Sequence, residues 1–161
     1  MATLYVMVGV PGCGKSTWAN KFIADRSNID YISRDAVRLS IIKDNEYIFA
    51  HEDEVYAKFV SNIVHCLGSN RDVVADATHL SHGARRKLVS ALQATGMTED
   101  KYDIVFVMMD TPLTECIRRD LQREGRAHVT EPVIRNMFKS LSTPYVGEFN
   151  NVKEVWIVRG C

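Results

Sequence analysis

Hydrophobic positions along the chain follow two periods that alternate from one end to the other. Short apolar runs occur at 3–8 (TLYVMV), 29–33 (IDYIS), 72–79 (DVVADATH), 102–110 (YDIVFVMMD) and 154–158 (EVWIV). Runs of this length and Val/Ile content predict strands covered on both faces. Between them, apolar residues recur at three- and four-residue intervals over 15–26, 35–42, 51–67, 81–95, 111–124 and 131–141, which predicts helices. Gly96 stands where the fourth of these should stop, and Thr111-Pro112 opens the fifth. Strands alternating with helices predict an α/β fold in one domain, 1–161: a parallel sheet of about five strands with helices on both faces. No repeat, low-complexity stretch or linker interrupts it.

In such sheets ligands bind beyond the carboxyl ends of the strands. The polar residues gather at those ends: a glycine-rich loop after the first strand, Ser33 to Asp35, Asp76 to His79, and Asp110. They are expected to line one cleft.

The glycine-rich loop carries the strongest chemical signal. Gly9, Gly14, Lys15 and Ser16 match GxxxxGK[ST], with Pro11, Gly12, Cys13 and Thr17 completing the segment. By composition such a match is expected on the order of once per 10⁴ positions. Its place between a strand and a helix meets the structural condition too. Glycines let the backbone wrap closely and aim N–H groups, with the following helix N-terminus, at phosphate oxygens. Lys15 then reaches the β- and γ-phosphates and the Ser16 hydroxyl is a ligand for magnesium. The expected cofactors are Mg²⁺ and ATP, or another nucleoside triphosphate, as phosphate donor.

The acceptor side is read from weaker spacing. Asp35 and Arg38 lie three apart, so a helix starting near 35 puts them on one face. Asp35 suits the carboxylate that accepts a hydrogen bond from an attacking hydroxyl, and the planar fork of Arg38 suits a phosphate or carboxylate. The bland alternative is a helix-capping aspartate with a surface ion pair. Asp76 ends a strand and is placed to assist the metal; Asp76, Thr78 and His79 are also candidate acceptor contacts, against a helix cap and an exposed histidine. Arg119, Arg123 and Arg126 form a candidate lid, about 119–130, with Gly125 as a hinge. An arginine closing on the γ-phosphate stabilises the charge of transfer and excludes water. A solvated amphipathic helix explains the same residues. Arg85, Arg86 and Lys87 fit either a phosphate-tracking groove or a solvated face.

Composition narrows the partners. The 161 residues hold 20 Lys plus Arg and 20 Asp plus Glu, a net charge of zero, so any nucleic-acid contact is a local groove rather than a basic coat. Cys13, Cys66, Cys116 and Cys161 lack CxxC spacing and are read as free thiols in a reducing, cytoplasmic setting. No stretch approaches the roughly 20 apolar residues of a membrane span, and no signal peptide is read.

With these residues in view, the chain resembles the P-loop polynucleotide 5′-hydroxyl kinase family of the T-even phage type. The likeness rests on GVPGCGKSTWANKFIA at the start, SRDAVRLSI at 33–41, ADATHL at 75–80 and VIRNMFKSL at 133–141. It implies that Lys15 and Ser16 serve the triphosphate and metal. It implies that Asp35 activates a 5′-hydroxyl and Arg38 binds the phosphate next to the acceptor nucleoside. Arg123 best matches the family's lid arginine, with Arg119 one turn earlier as the second candidate. Asp76 falls one residue from the family's acid, Thr78 falls on its threonine, and His79 stands where asparagine is usual. The resemblance also implies a basic tunnel, 5′-OH ends of RNA or DNA as substrate, and cooperation with a ligase or phosphatase. The DxDxT motif of a phosphatase domain is absent, so kinase without 3′-phosphatase is expected. Two other functions use the same loop: a small-molecule kinase acting on a sugar, nucleoside or antibiotic hydroxyl, and a slow nucleotide-dependent switch. A plausible acceptor base and the lack of a GTPase base-specificity motif stand against the switch.

Overall fold

A computed structural model of the chain describes residues 1–125 and 128–159. Strands β1 (Ala2–Val8), β2 (Ile29–Ser33), β3 (Asp72–Asp76), β4 (Tyr102–Asp110) and β5 (Val152–Arg159) pair in the order β2-β3-β1-β4-β5, each pair parallel. Helices α1 (Lys15–Ala24), α2 (Arg34–Ile41), α3 (Glu52–Gly68), α4 (His82–Ala94), α5 (Leu113–Leu121) and α6 (Glu131–Lys139) complete the α/β fold.

Strand alternation divides the core into two layers. Leu4, Val6 and Val8 of β1, with Ile104 and Phe106 of β4, pack on Phe59 and Ile63 of α3 and Leu88 and Leu92 of α4. Met7, Val105, Val107 and Met109 point the other way, onto Ala19 of α1, Cys116 and Ile117 of α5 and Ile134 of α6. Trp18 and Phe22, stacked with centroids 4.7 Å apart, join this second layer beside Tyr5 and Trp156. Both faces of the sheet are therefore covered, which explains why the strands read as nearly continuous apolar runs.

Strand order reverses on the two sides of β1, so the crevice at its carboxyl end is the natural ligand position. Two boundaries differ most from the sequence expectation. β3 ends at Asp76 rather than at 79, because Thr78 turns its carbonyl to accept from Gly9 N–H (3.0 Å) and His79 takes a left-handed φ of 44°. α5 ends at Leu121 rather than near Glu124. The buried Asp120 carboxylate there accepts from the backbone N–H groups of Val129 (2.7 Å) and Thr130 (2.9 Å), which ties the returning chain to the helix end.

Candidate active site

The loop from Gly9 to Ser16 is held from three sides. Thr111, just past β4, donates from Oγ1 to the Cys13 carbonyl at 2.7 Å, and Arg119 donates to the Gly12 carbonyl at 3.2 Å. Gly9 is bonded to the chain after β3, as described. Gly12 has φ +83°, and a Cβ there would lie 2.6 Å from the Cys116 carbonyl oxygen, so only glycine fits between the loop and α5. Gly14, at φ +98°, is the N-cap of α1, and Trp18 N–H reaches its carbonyl at 3.0 Å. Pro11 is half-buried, Cys13 is buried, and Ser16 and Thr17 are exposed at the start of α1.

Lys15 folds back over this loop, donating from Nζ to the Gly9 (3.0 Å) and Val10 (3.1 Å) carbonyls, with Cys13 Sγ at 3.7 Å. Ser16 Oγ donates to Asp76 Oδ2 at 2.8 Å, and the Tyr31 hydroxyl closes on the same carboxylate oxygen. Hydroxyl and carboxylate oxygens converging at a helix N-terminus are the donor set a hard divalent cation takes. The residues thus fit Mg²⁺, and the loop's backbone and lysine fit a polyphosphate. The placement of Asp76 beside Ser16 follows from β3 lying beside β1, which brings its last residue over the start of α1. Tyr31, on the adjacent strand, was not singled out from sequence. Burial and then its bond to Asp76 push its phenol up to about 12, so it stays a hydrogen-bond donor.

Across the crevice, β2 delivers α2. Ser33 caps this helix, its Oγ accepting from Ala36 N–H at 3.2 Å, which leaves Asp35 without the capping task. Asp35 is 86% exposed and pairs with Arg38 Nη1, one turn on. Arg38 is only 11% exposed. Glu52, in the first turn of α3, accepts from its Nε and Nη2 (both 2.7 Å) and from Arg34 Nη2 at 3.3 Å. The Arg38 hydrogen bonds hold the Glu52 carboxyl below its ordinary range, and Glu52 in turn raises Arg38. Glu52 is a site residue that sequence reading missed: its partners lie 14 and 18 positions away, at no helical spacing.

The remaining candidates separate. Thr78 is half-buried and engaged through its carbonyl. His79 is buried, turned inward with Nδ1 2.9 Å from the Met7 carbonyl and its ring 6.2 Å from Phe59; burial pushes its pKa down to about 4. Arg119 rests on the phosphate loop and pairs with Glu115 at 3.0 Å, whereas Arg123 is exposed beyond the end of α5. Arg126 lies outside the described residues, as does Cys161; Cys13, Cys66 and Cys116 are free thiols. Arg85 is neither groove nor solvated face: it is 1% exposed, bonded to Glu148 (2.8 Å) and to the carbonyls of His79, Leu80 and Ser142. It fastens the chain after β3 to the segment before β5. Among the described residues, no helix is long and apolar enough to cross a membrane.

Residues 4–144 match the profile of a family described as an AAA domain. The chain belongs to this AAA domain family. Its fold is that of P-loop kinases, which bind nucleotide at the loop that Lys15 and Ser16 occupy here. Among solved structures, this AAA domain is similar to a chain of the Pnkp1/Rnl/Hen1 complex: 28% identity, TM-score 0.64, 81% of this chain and 40% of that one. It thus spans about two-fifths of that neighbour's length. A sugar kinase from Janibacter sp. HTCC2649 shares 15% identity at TM-score 0.65, over 99% of this chain and 85% of that one. Kti12 of Chaetomium thermophilum, in complex with ADP-AlF3, shares 17% at TM-score 0.66, over 97% and 88%. The last two likenesses are of fold alone.

Proposed function

We propose that the protein is an ATP-dependent polynucleotide 5′-hydroxyl kinase, transferring the γ-phosphate to 5′-OH ends of RNA or DNA in the healing of broken strands. The observation that carries this reading is the Asp35–Arg38–Glu52 arrangement opposite the phosphate loop. It offers an exposed carboxylate beside a guanidinium whose orientation is fixed from behind. β2 lies two strand spacings from β1, roughly 10 Å, which leaves room for a γ-phosphate and an acceptor hydroxyl between the loop and Asp35. The 28% identity to a chain of the Pnkp1/Rnl/Hen1 complex, which a second structure describes as an RNA repair complex, supports a nucleic-acid acceptor.

The chemistry follows from these residues. The loop N–H groups and Lys15 take the triphosphate; to do so Lys15 leaves the Gly9 and Val10 carbonyls. Ser16 and Asp76 would hold Mg²⁺, with Tyr31 donating to the Asp76 carboxylate. When bound, Mg²⁺ neutralises charge on the β- and γ-phosphate oxygens. Asp35 accepts the hydrogen bond of the attacking 5′-hydroxyl and takes its proton as the new P–O bond forms and the γ-phosphoryl leaves ADP. Arg38 orients the acceptor through the phosphate on its 3′ side. Arg123, Arg119 or Arg126 supplies positive charge to the equatorial oxygens.

In this reading a ligase or phosphatase completes the repair. A small-molecule kinase is the second reading, since the sugar kinase shares the fold. The test is product mapping: after reaction with γ-labelled ATP and a 5′-OH oligonucleotide, complete digestion should release the label as a 5′-monophosphate of the first nucleotide alone. Failure to label any nucleotide acceptor, with labelling of a free sugar, would establish the second reading.

A further inference from the structure

The ten residues 42–51 that join α2 to α3 hold two aromatic side chains out to water beside the acceptor arginine. Tyr47 is 70% exposed and Phe49 48%. Their rings meet edge to face at 5.6 Å; among the described residues, no other ring pair has both members exposed. The exposure is built rather than frayed. Glu46 N–H closes on the Lys43 carbonyl and Ala50 N–H on the Tyr47 carbonyl, both at 3.0 Å. The Glu46 carboxylate accepts from Lys43 N–H at 2.9 Å and meets His51 Nε2 at 2.6 Å. The Arg38 guanidinium also lies over the Phe49 ring, 5.0 Å from the ring centroid. One ring is therefore shared by the phosphate-reading arginine and the exposed pair.

Resting on the polynucleotide kinase reading, we propose that Tyr47 and Phe49 form the stacking platform for a nucleobase of the acceptor, one joined to the phosphate that Arg38 holds. A group attached to a phosphate on Arg38 lies against Phe49 by connectivity. Charge decides what kind of group it is. Asp53 and Glu54 line the same surface hollow as Phe49, Asp44 and Glu46 precede Tyr47 in the same segment, and carboxylates repel a run of phosphodiesters. The surface accordingly takes an uncharged planar body, and stacking on aromatic rings accepts any base. A sugar offers no π-face and meets such rings only through its C–H groups, whereas a base stacks on them face to face. The platform makes the enzyme a reader of a phosphate and its base, with little demand on sequence.

The test uses the full chain and 5′-OH oligonucleotides carrying 2-aminopurine at the first or second position. Wild type should quench the fluorescence of at least one of these probes on binding, and Tyr47→Ala should lose that quench. Tyr47→Ala should also raise the oligonucleotide KM roughly tenfold, at the low end of what one lost stack costs, with kcat and the ATP KM unchanged. Tyr47→Phe should behave as wild type. Oligonucleotides abasic at the first or second position should bind worse than the intact strand in wild type and equally in Tyr47→Ala. If intact and abasic acceptors are phosphorylated alike and Tyr47→Ala changes nothing, the platform is wrong while the kinase reading stands. If wild type phosphorylates no nucleotide acceptor, both fall. If Tyr47→Ala instead dissociates a dimer in sedimentation and leaves base dependence intact, the pair serves a second copy of the chain and the platform is overturned.

Discussion

Replacing Asp35 by Asn separates catalysis from stability, because the structure assigns this side chain almost no structural duty. Ser33 rather than Asp35 caps α2, and the Asp35 carboxylate is 86% exposed and pairs with the Arg38 guanidinium. An exposed ion pair contributes about 0–1 kcal/mol, and an acidic residue in the first helical turn contributes some tenths more through the helix dipole. Asp35→Asn should thus cost about 1 kcal/mol, a fall in melting temperature of roughly 2–4 °C for a chain of this size. Loss of a general base costs far more in rate, typically 10²- to 10⁴-fold, or about 2.7–5.5 kcal/mol of activation free energy. The assay pairs thermal unfolding with steady-state transfer of γ-label to a 5′-OH oligonucleotide, and measures ATP affinity by titration. The expected result is transfer down at least about 100-fold, ATP affinity within about twofold of wild type, and nearly native melting. Transfer within about tenfold of wild type would refute the base assignment. So would a loss of rate that tracks a collapse in stability, since the carboxylate would then be structural.

Other consequences follow from particular contacts. Gly12→Ala places a methyl 2.6 Å from the Cys116 carbonyl at a left-handed φ, so both melting temperature and nucleotide affinity should fall, the latter at least about tenfold; calorimetric titration with ATP checks it. Arg85→Ala takes the guanidinium from the buried Glu148 carboxylate, leaving it His82 Nδ1 at 2.9 Å, and should cost about 3–5 kcal/mol in urea unfolding. Arg85→Lys should not restore it, because one ammonium cannot serve Glu148 and three carbonyls spread around the guanidinium. Glu52→Ala frees Arg34 and Arg38, and should raise the acceptor KM several-fold with the ATP KM unchanged, a split that acceptor and ATP titrations would show. His79 is held neutral by burial, with its pKa lowered to about 4 against about 6.5 in the unfolded chain. Below 6.5 the unfolded state binds a proton that the native state refuses, so stability falls as pH drops from about 6.5 to about 4, by about 3 kcal/mol in all. Denaturant midpoints across this window should fall steeply in wild type and less in His79→Asn.

Most of the fold was legible because both sheet faces are covered and every helix is amphipathic. β4, with Tyr102, Ile104 and Phe106 on one side and Val105, Val107 and Met109 on the other, shows no alternation in sequence yet alternates in space. The phosphate loop was legible because its glycines are required locally, by a left-handed φ at Gly12 and Gly14. What escaped depends on contacts between distant positions. Glu52 acquires its role only when the turn after α2 brings α3 back onto Arg34 and Arg38. Tyr31 meets Asp76 because β2 pairs with β3, with Ser33 opposite Asp76 in register. Arg85 stands next to two solvated basic residues, Arg86 and Lys87, and nothing in that spacing marks it as the buried one. His79 follows a polar strand end, and its turn toward Met7 comes from a left-handed backbone that sequence does not announce. For Asp35 and Arg38 the spacing predicted a shared face, and the structure adds that Arg38 is gripped from behind.

The identity of the acceptor is tested by the fate of the γ-phosphate. Label from the γ-phosphate of ATP, with Mg²⁺, would be followed onto a matched set: a 5′-OH oligonucleotide, its 5′-phosphorylated twin, a nucleoside 3′-monophosphate, the bare nucleoside and several sugars. The account expects label on the 5′-OH oligonucleotide and the nucleoside 3′-monophosphate, with the phosphorylated twin, the bare nucleoside and the sugars left unlabelled. Label on a sugar or bare nucleoside, with the oligonucleotide untouched, would contradict it.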